Sequence, residues 1–199
     1  MLLQHIAGFF LHPSEEWQAV RTRNISASRA LGHILVLGAI PVISGYIGTT
    51  EFGWQIGTAE TVKLTHISAG IIALLYYLVI MAAVLSVGWM IHWMGETYGA
   101  RQPLTRCIVL AAYIPIPLFL VGVCQLYPVL WFNLLVGIPA ATYTVFLLYL
   151  GIPVMMEIPP ERGFLFASAV LAFGLVGLVG MLAATVILWS HGIGPVFTT

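Results

Sequence analysis

Residues 111–120 read Ala-Ala-Tyr-Ile-Pro-Ile-Pro-Leu-Phe-Leu, two prolines two positions apart inside an apolar run long enough to cross a bilayer. Each proline lacks a backbone donor and crowds the carbonyl four residues earlier, so a helix here must bend or open around Ala111 to Tyr113. In lipid the freed carbonyls need protein partners, which Tyr113 and bundle packing could supply. The first question is therefore whether the chain lies in a membrane at all.

Composition answers it. The chain has 199 residues, 60% hydrophobic and 7% charged, with a mean hydropathy of +1.02. A soluble domain carries about a quarter charged residues, so this chain cannot cover a water-exposed exterior. Seven basic residues balance seven acidic ones and the only lysine is Lys63, which excludes nucleic acid as a partner, because phosphate neutralisation needs clustered cations. Cys107 and Cys124 lie on one predicted helix, roughly 25 Å apart at about 1.5 Å per residue, and cannot bridge each other. The start, MLLQHIAGFFLHPSEEW, has no basic region ahead of its apolar patch and reads as retained.

A hydrocarbon core about 30 Å thick needs about twenty apolar residues in a helix. Five windows qualify: Ser28–Gly48, Ile67–Met94, Leu104–Gln125, Pro128–Leu150 and Phe164–Ser190. The third and fourth are parted only by Gln125-Leu126-Tyr127-Pro128. As one helix, Leu104 to Leu150 would run about 70 Å, more than twice the membrane, so two helices and a turn fit better. The expected fold is an all-α integral membrane bundle of five spans over residues 28–199, preceded by a short interfacial segment, 1–27.

Lys and Arg beside a span stay cytoplasmic. Arg21, Arg23 and Arg29 precede the first span, Arg101 and Arg106 follow the second, and Arg162 follows the fourth, against Lys63 alone on the other face. That bias predicts a cytoplasmic N-terminus and a periplasmic C-terminus. Trp17, Trp54, Trp93 and Trp189 fall near the predicted interfaces. In the first segment Pro13 suits a helix start, Glu15 and Glu16 suit its dipole, and Trp17 and Val20 share a face. With Ile6, Phe9 and Phe10 it should lie along the cytoplasmic surface, or alternatively dock a cytosolic protein.

The spans contain no expected ionisable group able to carry chemistry. Glu51, Glu60, Glu96, Glu157 and Glu161 fall in loops and Asp is absent. That weighs against a proton-coupled carrier, and no nucleophile triad, phosphate loop or HExxH motif is found, so no enzyme activity and no cofactor are expected. His5, His12, His33 and His92 gather at the cytoplasmic side and raise a zinc site, yet no pair has the i, i+4 spacing that would hold two nitrogens together. Polar helix ends are the simpler reading.

Pro41 and Pro139 add expected bends to the first and fourth spans. With Tyr113, Pro115, Pro117 and Tyr143 they mark a candidate cavity or helix break, for which packing is the first reading and a substrate site the second. Gly174, Gly177 and Gly180 on the fifth span, Gly180 with Ala184, Ala69 with Ala73, Ala82 with Ser86, and Ser44 with Gly48 offer close helix approach. Intramolecular packing is their first reading and homo-oligomerisation through the fifth helix their second. Arg21, Arg23, Arg101 and Arg106 are candidate contacts for anionic headgroups, at about 1 kcal/mol each.

The segments AIPVISGYIGTTEFGWQIG, AAYIPIPLFLVG, QLYPVLWFNLLVG and FLLYLGIP, in this order, resemble the Yip-domain family (Ypt/Rab-interacting proteins), specifically its short bacterial inner-membrane branch. The resemblance runs over nearly the whole chain and implies a five-helix membrane domain with a cytosolic N-terminus. Eukaryotic members are associated with Rab-type GTPases. This chain has neither their long cytosolic N-terminal region nor a clear Asp-Leu-Tyr-Gly-Pro motif, so that partner does not carry over. The reading is a non-enzymatic bacterial inner-membrane protein acting through helix packing, lipid or an unidentified membrane or cytosolic protein. The alternative is a small-solute transporter or channel, which would need Thr142, Tyr143, Tyr113, Ser44 and Asn133 around one wet lumen.

Overall fold

The computed structural model describes residues 2–54, 61–192 and 194–198; Glu60 and the Gln55–Gly57 end of the quoted loop lie outside them. The chain runs α1 (Leu2–Leu11), α2 (Pro13–Thr22), α3 (Ala27–Ile47) prolonged by a π-turn (Gly48–Phe52), α4 (His66–Gly95), α5 (Leu104–Tyr113), α6 (Ile116–Val121) with a 3₁₀ turn (Gly122–Leu126), α7 (Leu130–Met156) and α8 (Pro160–Ser190). Among the described residues extended structure is limited to isolated bridges, Trp54 with Val62 and Leu64 with Phe197. Five segments are long and apolar enough to cross a membrane.

The helix ends follow local chemistry and adjust the expected spans. Ser26 accepts a hydrogen bond from the Arg29 N–H at 3.4 Å and so starts α3 at Ala27. Past Gly48, the hydroxyls of Thr49 and Thr50 donate to the Gly45 and Tyr46 carbonyls at 2.8 and 2.9 Å, carrying the helical path to Phe52 before Gly53 turns it at φ 84°. Thr65 caps α4 in the same manner, through the Ser68 N–H at 3.4 Å. The fourth span was expected to stop at Leu150, before Gly-Ile-Pro; instead α7 continues through Pro153 to Met156. It ends where Glu157 turns left-handed at φ 56° and its N–H closes on the Pro153 carbonyl. Pro160 then opens α8 four residues before the expected Phe164, with Glu161 in its first turn.

Proline effects differ among the spans. α3 passes unbroken through Pro41, and α7 through Pro139 and Pro153, because each site deletes a single donor. Pro115 and Pro117 delete two donors in one turn, and there the third span is interrupted: α5 ends at Tyr113 and α6 begins at Ile116. This broken span is the most buried of the five and stands at the centre of the bundle. Cys107 and Cys124 fall on its separate pieces and are free.

Glycines set several close approaches. A Cβ on Gly88 of α4 would lie 3.0 Å from the Ile108 Cα of α5, and one on Gly122 would lie 2.5 Å from Pro41 of α3. On α8 the pattern misleads. Gly174, Gly177 and Gly180 have nothing within 4 Å of an added Cβ, and from Ala172 to Ser190 every residue is exposed except Thr185, which is half-buried. The glycine line therefore does not pack within the chain, because α8 leaves the bundle after Leu171. Ala82 and Ser86 are likewise exposed, whereas Ala69 and Ser44 are buried.

The N-terminal segment is two helices, and one face of it is covered by the rest of the chain. α1 and α2 form a hairpin whose Phe9, Trp17 and Val20 are buried, with the Phe9 and Trp17 rings 4.7 Å apart and edge to face. Trp17 is buried inside the fold. It rests on Gly151 of α7, where an added Cβ would stand 2.7 Å from the indole. The shared Trp17–Val20 face was legible; its counterpart is protein.

Replacing Gly151 with leucine should force the indole out and destabilise the chain by about 1–3 kcal/mol. Gly137→Ala, where nothing lies within 4 Å, is the control and should stay within about 0.5 kcal/mol. Thermal unfolding of the detergent-solubilised variants measures both.

Candidate functional site

The interruption at Pro115 organises two unlike regions on its two sides. On one side Tyr113, the last residue of α5, turns its hydroxyl to the Nδ1 of His33 on α3 at 2.9 Å. Its ring stands 5.7 Å from that of His5 and 5.6 Å from that of Phe9, both on α1. His5 pairs through Nδ1 with Glu16 of α2, and its ring lies 6.3 Å from the ring of His33. The His5 side chain is 4% exposed and that of Glu16 15%. Two imidazoles, a carboxylate and a phenol thus share one enclosed polar cluster.

The sequence places His5, His33 and Glu16 on one side of the membrane but does not join them to Tyr113 in an enclosed cluster. No helix periodicity could find it, since residues 5, 16, 33 and 113 meet only through the hairpin fold. The available signal was Gly8, three residues after His5, where any side chain would collide with the Glu16 carboxylate. Each imidazole Nδ1 is already engaged, so the arrangement holds α1, α2, α3 and α5 together. Of the four histidines weighed as a zinc site, only His5 and His33 come together. His12 is exposed, and His92 directs Nδ1 to the Gln102 carbonyl at 3.0 Å. Among the described residues no set of three His, Cys, Asp or Glu side chains is placed to hold a metal ion.

On the other side of the break is an apolar cavity of about 250 Å³, half open, bounded by Val84 and Val87 of α4, Ala111 and Pro115 at the break, and Val170 and Gly174 of α8. No polar side chain lines it. Of the residues expected at a cavity, Pro115 alone borders it. Pro41 is buried against Gly122, Pro117 is buried, and Pro139 is exposed. Tyr143 donates its hydroxyl to the Phe9 carbonyl at 2.7 Å while the Phe10 ring stacks on it at 5.4 Å. Thr142 is exposed and donates to the Ile138 carbonyl at 2.9 Å, and Asn133 donates to the Tyr127 and Val129 carbonyls at 2.8 and 3.0 Å. Ser44 is buried on α3. Tyr143, Thr142 and Asn133 close on carbonyls of the hairpin or of their own segment, and none of these polar groups lines the cavity.

The arginines divide. Arg106 is committed inside the protein, its Nη1 donating to Gln102 Oε1 at 2.7 Å and to Glu157 Oε1 at 2.9 Å, which ties the start of α5 to the end of α7. Arg21 borders with Arg106 a cleft of about 30 Å³, room for about one water molecule. Arg23 and Arg101 are exposed, and among the described residues neither has a carboxylate within 4.0 Å. Arg162, which was not singled out as a headgroup contact, is exposed as well and sets its guanidinium against Gly99, where an added Cβ would lie 2.9 Å from Nη1.

Comparison with known proteins agrees with this architecture. The family model of the Yip1 domain matches residues 7–181. The chain is 42% identical over 191 residues, 96% of its length and 98% of the relative's, to the inner membrane protein YohC of Escherichia coli strain K12. It is equally similar to the protein of that name from Escherichia coli O6:H1. No solved structure matches.

Deleting one partner of a buried hydrogen bond leaves the other unsatisfied and typically costs about 1–3 kcal/mol. His5→Ala should therefore loosen the hairpin, lowering the unfolding midpoint and speeding protease cleavage near residues 11–14, whereas His12→Ala should change neither. Limited proteolysis with fragment mass analysis distinguishes the two variants.

Proposed function

The chain belongs to the Yip1 domain family, and from that membership and the geometry above we propose that it is a non-enzymatic protein of the bacterial inner membrane that works through contacts with lipid and with other membrane proteins. The E. coli relatives named for the inner membrane support the location. The six arginines on one side against Lys63 on the other support a cytoplasmic N-terminus and a periplasmic C-terminus. The observation that carries the functional reading is the cavity at the helix break. It borders the most buried span and is walled by aliphatic side chains alone, so it offers a polar solute no hydrogen-bond partner.

The transport reading draws less support. Its expected polar lining is dispersed, with Tyr113 bound to His33, Tyr143 to the hairpin, and Thr142 and Asn133 to nearby carbonyls. Contact surfaces are ample. α8 from Ala172 onward is exposed almost entirely, and α4 exposes Ile67, Ile71, Leu74, Leu75 and Leu78. Self-association through α8 belongs to this reading, as does attraction of Arg21, Arg23 and Arg101 to anionic headgroups, at about 1 kcal/mol each at the surface.

Proteoliposomes containing the protein should release small polar solutes no faster than protein-free vesicles, and Tyr113→Phe should leave that leak unchanged. Stopped-flow release of an entrapped dye and of labelled amino acids measures it. Protein-dependent flux abolished by Tyr113→Phe would overturn the contact reading.

A further inference from the structure

We infer that the fork between α4 and α8 beside Pro115 is a binding site for one acyl chain of an anionic phospholipid, whose phosphate is held by Arg162 and Arg101. This rests on the reading of the protein as a contact protein and names the lipid. Three observations converge on it: the shape of the fork, its depth and the charge at its mouth.

The fork exists because α8 departs from the bundle after Leu171 while the broken third span leaves space behind Ala111 and Pro115. Its walls are Val84, Val87, Ala111, Val170 and Gly174, and the opening is lateral, between two helices whose outer faces are exposed. A lateral opening at this level admits what the bilayer contains. A second helix is too large for it. At 10–12 Å across, a helix has a cross-section of roughly 100 Å², so about 250 Å³ would take only two residues of its rise. A flexible chain of single methylene width fits, in a volume larger than the dry apolar cavity of about 150 Å³ that accepts a benzene-sized guest.

Depth and charge identify the rest of the molecule. Gly88 of α4 faces Ile108 of α5, so Val84 and Ala111 lie about one turn farther from the arginine-bearing end. On α8 the positions Arg162, Phe166, Val170 and Gly174 recur every four residues, which places Arg162 above the cavity line by about 12 Å of helix rise at Val170. Phe166 is buried and stacks on Tyr98 at 4.7 Å, closing the inner side between mouth and cavity. The Arg162 guanidinium rests on Gly99, and Arg101 follows two residues later. Both arginines are exposed, and among the described residues neither Glu96 nor Glu161 forms an ion pair with them. Because an acyl chain gains no hydrophobic free energy on leaving lipid for an apolar groove, preference must come from these cations and from shape.

The test is lipid binding to delipidated protein in detergent, read by native mass spectrometry, with phosphatidylglycerol and phosphatidylcholine as probes. Wild-type protein should retain one phosphatidylglycerol about tenfold more tightly than phosphatidylcholine. Gly174→Phe should fill the fork and abolish the bound lipid of either kind; since nothing lies within 4 Å of that position, the variant should fold, and Gly174→Leu provides a smaller filling that should weaken binding. Arg101→Gln combined with Arg162→Gln should keep one lipid and lose the preference. Val176→Phe, on the exposed outer face of α8, should behave as wild type. Undiminished phosphatidylglycerol binding by Gly174→Phe would overturn the site, as would an unchanged tenfold preference in the double arginine variant. A dimer that Gly174→Phe disrupts while lipid count is unaffected would assign the fork to a second copy and overturn it too. Failure of these arms with no solute flux leaves the contact reading standing, whereas solute flux removes that reading whatever lipid is bound.

Discussion

Two prolines two residues apart deny the central span two backbone hydrogen bonds in one turn, and the rest of the bundle is arranged around that loss. A single proline does not have this effect here, since α3 and α7 run through Pro41, Pro139 and Pro153 without interruption. At Pro115 and Pro117 the helix must stop and restart, and a stop inside lipid is tolerable only where protein covers it. The coverage is almost complete. Ala111, Ala112, Tyr113, Ile114, Ile116 and Pro117 are all buried, and Pro115 itself is half-buried. The most irregular backbone in the membrane part of the chain is thus also its most enclosed.

Enclosure comes from an uneven pair of sources. On the Tyr113 side it is supplied by the N-terminal hairpin, which brings in Phe9 and Trp17 as bulk and His5 with Glu16 as a hydrogen-bonded pair. Buried polar groups of this kind are stabilising as a closed set and costly when one is missing. Trp17 shows the compromise, for its ring fills the notch at Gly151 while its Nε1 finds no hydrogen-bond partner. On the Pro115 side coverage is partial, because α8 diverges and leaves the apolar fork. One break therefore gives the molecule a polar, locked side and an apolar, open one.

The spans were legible because hydropathy over about twenty residues and the Pro115–Pro117 pair are local signals that lipid converts directly into structure. Their ends were less so. Gly151-Ile152-Pro153 reads as punctuation in a sequence, yet α7 continues, since Gly151 is required by the indole of Trp17 and the helix stops only when Glu157 turns left-handed. Spacing of small residues was ambiguous in the same way. Gly88 and Gly122 do bring helices together, while Gly174 borders the open fork and Gly177 and Gly180 meet nothing within 4 Å, and nothing in the spacing alone separates the cases. The polar cluster was legible only as a shared side of the membrane, because a tertiary fold with no regular period joins residues 5, 16, 33 and 113.

The same physics explains why charge in this protein divides into two kinds with different uses. Inward-turned ionisable groups are held by partners, Glu16 by His5 inside and the partly buried Arg106 by Glu157 at the helix ends, and each contact joins separate elements. Arginine left exposed, at Arg23, Arg101 and Arg162, is free to meet something outside the chain. Here the cavity beside the central span is aliphatic, and the exposed Arg162 stands about 12 Å of helix rise away along α8. Such a division suits recognition of molecules that are themselves apolar in one part and charged in the other, which is the chemistry of the surrounding bilayer.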